Sequence, residues 1–101
     1  MSATEIITAL GQKRAALNAR GVQHLAVFGS QARGNASPGS DLDVLVDIDP
    51  SMPKFSLVDL AAVSNLIADI TGLETVAIER RMLARNPAFA ARIADDIIEV
   101  F

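Results

Sequence analysis

Phe28-Gly29-Ser30-Gln31-Ala32-Arg33-Gly34, then Ser40-Asp41-Leu42-Asp43-Val44-Leu45-Val46 after a short loop, is the stretch that decides how this chain folds. The run His24–Phe28 ahead of it is mostly apolar and bounded by glycines, which predicts a buried strand. Residues 34–40 are turn formers almost throughout and predict a loop. From Asp41 to Asp47 the sequence alternates strictly. Leu42, Val44 and Val46 therefore share one face, and Asp41, Asp43, Leu45 and Asp47 share the other. That is a strand with an acidic end. The short connection makes the two strands close neighbours, with a brief helical turn at Gln31–Arg33.

Working outward, the segment from about Thr4 to Arg20 reads as one helix. Ser2 and Glu5 have capping-box spacing, and Gly21 is a plausible stop. Beyond the acidic strand, residues 49–54 form a loop with two prolines. Ser56 opens a helix of roughly Leu57 to Ile70, with Asp59 in its first turn, where a carboxylate suits the helix dipole. It is apolar over most of its circumference, which predicts burial on more than one side, either by its own domain or by another chain. Leu73–Ile78 reads as a third strand, followed by a short helical segment over Glu79–Ala84. Asn86-Pro87 starts a last helix running to about Asp96. Ile97–Phe101 is either its end or a final short strand. The expected architecture is α+β (an α/β two-layer arrangement), a small mixed sheet of three to four strands backed by helices, in one domain over residues 1–101.

Composition narrows the function. At 101 residues with half of them hydrophobic, the chain suits one compact core. Four Phe with no Trp or Tyr make that core aliphatic. A formal net charge of −3 supplies little phosphate neutralisation, so direct nucleic-acid binding is not expected. Absence of cysteine rules out disulfides, thiolate metal sites and a Cys nucleophile, and fits the cytoplasm. The first residues carry no signal-peptide pattern, and no apolar run is long enough to span a bilayer. No membrane role is expected.

The paired motif points to phosphate and metal chemistry. Gly29, at a strand end, lets a ligand approach the backbone. Ser30 can donate its hydroxyl to a phosphate oxygen, and a helical turn starting there directs free N–H groups the same way. Arg33 either adds fixed positive charge or braces the loop through an ion pair. Asp41 and Asp43, two apart on a strand, have Cα atoms about 6.5–7 Å apart. Carboxylates at that spacing can converge on divalent ions, magnesium above all, since it accepts a few carboxylates plus phosphates and water. His24, the only histidine, reads as a packing or surface residue rather than a base. Arg80, Arg81 and Arg85 read as a solvated helix face.

Both halves of the motif, and their separation, resemble the DNA polymerase β-like nucleotidyltransferase superfamily. The match is closest to its minimal, MntA-like branch, and it covers nearly the whole chain. That resemblance implies a nucleotidyltransferase fold with magnesium and ATP or another nucleoside triphosphate. It casts Asp41 and Asp43 as catalytic and metal-binding residues, and Gly29, Ser30, Arg33 and Ser40 as nucleotide-binding ones. It also implies a HEPN-domain toxin as partner, with this chain as an antitoxin that transfers AMP to it. One departure matters. The family usually carries a third aspartate on the third strand, and here Val76 falls at that place. Glu74, about 7 Å along the same strand face, is the only obvious reserve ligand. Loss of a general base costs about 10²–10⁴ in rate, which leaves slow transfer or neutralisation by complex formation alone. Small-molecule, tRNA or poly(A) acceptors fit less well, because relatives acting on them carry an extra domain.

Overall fold

The computed structural model describes residues 1–52 and 54–101. Pro53, the second proline of the expected 49–54 loop, lies outside the described residues. Helices α1 (Ala3–Gln12) and α2 (Arg14–Ala19) lead into strand β1 (Val22–Phe28). A single helical turn, α3 (Gly29–Arg33), and the loop return the chain along β2 (Leu42–Ile48). Helix α4 (Leu57–Thr71) precedes β3 (Thr75–Glu79). A 3-10 segment (Arg80–Arg85), α5 (Pro87–Ile93), a second 3-10 turn (Ala94–Asp96) and β4 (Ile98–Glu99) complete the order.

The strands form one mixed sheet in the order β3-β2-β1-β4. β1 is antiparallel to β2 and β4, and β2 is parallel to β3. Register follows from the alternation. Leu42, Val44 and Val46 are fully buried, and pack with Val22, Leu25 and Val27 against Ile6 and Leu10 of α1, Leu17 of α2, and Val63 and Ile67 of α4. The opposite face is covered over only part of its area. There Ala26, Phe28 and Leu45 meet Ile93, with Phe89 edge-on to Phe28 at 6.0 Å between ring centres. Leu45 is thus buried although it shares a face with the aspartates.

Four expectations need correction or narrowing. The leading helix is two: Lys13 donates to Leu10 O at 3.1 Å, a tighter turn that breaks the α-helix next to the poor helix former Gly11. This chain alone does not bury the apolar helix α4 on several sides: its buried residues are Val63, Ile67 and Thr71, while Leu57 and Val58 are 82% and 78% exposed. Its apolar composition runs ahead of the cover this chain supplies. The third strand begins two residues late, leaving Leu73 and Glu74 outside it; of the two endings left open for Ile97–Phe101, the chain takes the short strand. Arg80 is not on a solvated face. Its guanidinium holds Glu99 at 2.6 Å, and its Nε lies 3.0 Å from Asp47 without hydrogen-bond alignment.

Candidate active site

The topology gathers the motif at one end of the sheet. Because β1 and β2 are antiparallel, Phe28 pairs with Asp43, so Gly29 emerges beside that aspartate. The contact is close enough to demand glycine. Gly29 has φ +75°, and a Cβ built on it would stand 2.5 Å from Asp43 Oδ2. α3 then starts at the strand's end with its first N–H groups unpaired within the helix. Ser30 is half-buried on that turn, and its carbonyl accepts the Asn35 N–H at 3.1 Å.

Asp41 stands one residue ahead of β2 rather than within it, and is exposed. It remains close enough to act on Asp43. The Asp43 carboxyl is pushed up from its ordinary range, first by burial and second by the Asp41 charge, with Arg33 opposing both. Among the described residues neither carboxylate makes a side-chain hydrogen bond or ion pair. Two acids held together without a bonded cation leave a site whose unmet demand is positive charge.

The remaining candidates divide. Arg33 donates to Asp96 at 2.7 Å, so its guanidinium is tethered to the 3-10 turn behind α3 while its charge still reaches Asp43. Ser40 braces the loop: its Oγ accepts the Ser37 N–H at 3.1 Å. Glu74 is exposed, and its backbone carbonyl accepts the Leu42 N–H at 2.7 Å, which docks the start of β2. With Gln31, Ser37, Ser40 and Leu73 it lines an open cavity of about 600 Å³ flanking the acidic end. A second cavity of about 510 Å³ lies at the far end of the sheet, around Asp47 and Glu79, and takes no part in this site.

Sequence reading missed Gln31. It is buried, and its Nε2 donates to the Ser40 carbonyl at 3.2 Å. It thereby ties α3 to the residue preceding Asp41. A polar side chain inside a glycine-flanked turn is the one signal that pointed to it.

The chemistry of these residues suits a divalent cation. Asp41 and Asp43 would supply oxygen ligands, and Gly29, lacking a Cβ, leaves room for the Asp43 carboxylate beside the start of α3. They do not fit a larger carboxylate cage, for no trio of His, Asp or Glu among the described residues is placed to hold a metal.

An acid pair at one end of a mixed sheet, beside a glycine-opened helical turn, is an arrangement suited to nucleotidyl transfer. The family model described as a nucleotidyltransferase domain matches residues 5–99, and the chain belongs to that family. A Methanocaldococcus jannaschii protein named "Putative protein adenylyltransferase MJ1217" is 30% identical over 79 residues, 78% of this chain and 76% of that protein. A second from the same organism, "Putative protein adenylyltransferase MJ1379", is 32% identical over 80 residues, 78% and 77% of the two chains. Among solved structures, one titled "Structure of putative minimal nucleotidyltransferase" superposes with a TM-score of 0.66 at 26% identity, over 97% of this chain and 95% of that one. A nucleotidyltransferase-titled structure from Sulfolobus solfataricus reaches a TM-score of 0.54 over 96% of this chain and 80% of that one; at 13% identity it shows the fold alone. The resemblance to minimal nucleotidyltransferases and the expected α+β fold are both borne out. No helix among the described residues is long and apolar enough to cross a membrane.

Proposed function

We propose that this chain transfers a nucleoside monophosphate, AMP from ATP, to a hydroxyl of a HEPN-domain toxin, acting as the toxin's cytoplasmic antitoxin. The observation that carries the chemistry is the juxtaposition of Gly29 with an unpaired Asp41–Asp43 couple. The curated relatives' names support a protein as acceptor.

In this reading the N–H groups at the start of α3 and the Ser30 hydroxyl seat the triphosphate, with Gly29 keeping the approach clear. Arg33 lends charge while Asp96 fixes its position. Ser40 and Gln31 hold the loop so that Asp41 meets Asp43. Those two carboxylates hold magnesium, which supplies Lewis-acid neutralisation of phosphate charge when bound. The acceptor oxygen bonds to the α-phosphorus, the bond from that phosphorus to the α–β bridging oxygen breaks, and pyrophosphate leaves with the electron pair. The acceptor's proton departs to water or to a base of its own. A suitable test incubates the chain with magnesium, α-labelled ATP and the toxin encoded beside it. Label on the toxin is expected. A blank lane, beside a related pair that labels normally, refutes the activity.

Val76 favours a second reading, in which the chain neutralises its partner by complex formation alone. Asp41→Asn combined with Asp43→Asn separates the two. If that variant folds and binds the toxin but no longer neutralises it, binding alone is insufficient.

A further inference from the structure

Six-coordinate magnesium is satisfied by one or two carboxylates together with phosphate oxygens and water. In-line displacement between two ions requires ligands that reach both. What flanks Asp43 therefore decides how many cations this centre takes. On the β1 side stands Gly29, where even a Cβ would lie 2.5 Å from the carboxylate. On the β3 side stands Val76, the in-register partner of Asp43 across the parallel pair. Neighbouring strands lie about 4.8 Å apart and paired side chains project to the same face. The side chain at 76 is therefore the β3 group that shares the surroundings of the Asp43 carboxylate. It is aliphatic and 44% exposed, so packing does not explain it. Glu74 precedes β3 and lines the cavity flanking the loop.

We propose that Val76 makes this a one-cation centre. Asp41 and Asp43 would hold a single ion on the triphosphate, and the β3 position paired with Asp43 presents an aliphatic side chain where a further oxygen ligand would be needed for a second. The proposal rests on the nucleotidyltransferase reading of Asp41 and Asp43. It adds a consequence for the acceptor: β3 offers no carboxylate beside Asp43 for the hydroxyl proton, since its one acid, Glu79, stands at the other end of the strand beside Arg81, so the acceptor protein brings the group that takes it. Transfer is then slow onto free hydroxyls and selective for acceptors that carry such a base.

The test counts manganese by electron paramagnetic resonance, with a triphosphate analogue whose α–β bridge cannot be cleaved. One bound ion per chain is expected for the wild type and for Glu74→Gln, and two for Val76→Asp. Val76→Asp should also raise transfer to a simple hydroxyl by about 10²-fold, the lower end of what a general base contributes. Two ions in the wild type, or one in a folded Val76→Asp variant, overturn the proposal. If Val76→Asp does not fold, the wild-type and Glu74→Gln counts still decide. Failure of the wild type to retain either nucleotide or manganese overturns the underlying nucleotidyltransferase reading as well, and is distinguishable from a count of two.

Discussion

Asp43 and Asp47 stand four residues apart on β2, on the same face of the sheet, yet the fold treats them oppositely. Asp47 has Arg80 at 3.0 Å, and Arg80 also grips Glu99, so β2, the 3-10 segment and β4 are pinned together at that end. Asp43 has no bonded partner, a second acid nearby and a glycine pressed against its oxygen. An acid kept for structure is paired; this one is kept costly. Burial and a like charge both disfavour the ionised Asp43, and a fold serving stability alone would have no reason to place it there.

The largest way to break this contrast is Asp43→Asn, which keeps the side-chain shape and removes the charge. Transfer is expected to fall by about 10³-fold, since a cation's charge stabilisation is worth several kcal/mol. Stability should move the other way. The folded-state value of Asp43 is raised, so between its unfolded and folded values the native state holds more proton than the unfolded one. Stability therefore declines as pH rises through that window and stays lower above it. Asparagine removes the decline. Without metal the variant should melt no lower than wild type at neutral pH, and its melting point should no longer rise when magnesium and ATP are added. A marked drop in the metal-free melting point refutes the idea that Asp43 is held at a cost.

Gly29→Ala comes next. A Cβ at that position meets the Asp43 carboxylate and must also adopt φ +75°, a left-handed conformation costing about 1–2 kcal/mol. Transfer should drop about 10²-fold with little loss of secondary structure, because the displaced group is the proposed metal ligand. Circular dichroism beside a labelling assay checks both halves. The paired end gives the counter-case. Arg80→Ala should cost about 1 kcal/mol of stability, in line with partly exposed ion pairs, and be measurable by urea unfolding. Its transfer rate should stay close to wild type at a temperature where both are folded.

How much of this contrast the sequence displays depends on how local the interactions are. Alternation from Leu42 to Val46 places the buried face correctly because a strand's period is intrinsic to it. Ser2 with Glu5, and Ser56 with Asp59, are capping boxes three residues wide and were equally readable, the second as an acidic first turn. Asp43 stood out because it recurs with Asp41 behind a glycine turn. Arg80 did not, since its partners are 33 positions before it and 19 after, joined only by sheet topology. Arg33 was left between two roles for the same reason: its partner Asp96 is 63 residues away. Helix α4 misled because hydrophobicity reports what a helix needs to bury, and not whether the same chain covers it.

The finest test concerns Gln31, which supports the acidic couple without touching it. Its buried Nε2 holds the Ser40 carbonyl at 3.2 Å, one residue before Asp41. Methionine is close in size and cannot donate, so Gln31→Met preserves packing and releases the loop. A net hydrogen bond is worth about 0.5–1.5 kcal/mol, which converts to roughly a two- to tenfold change. If Gln31 positions Asp41, that change appears as a higher magnesium concentration for half-maximal transfer, with the saturated rate nearly kept. If it only stabilises the fold, the melting point falls and the magnesium dependence stays put. The acidic end of the sheet would then be organised by Gly29 alone, and the difference between Asp43 and Asp47 would reduce to one glycine and one arginine.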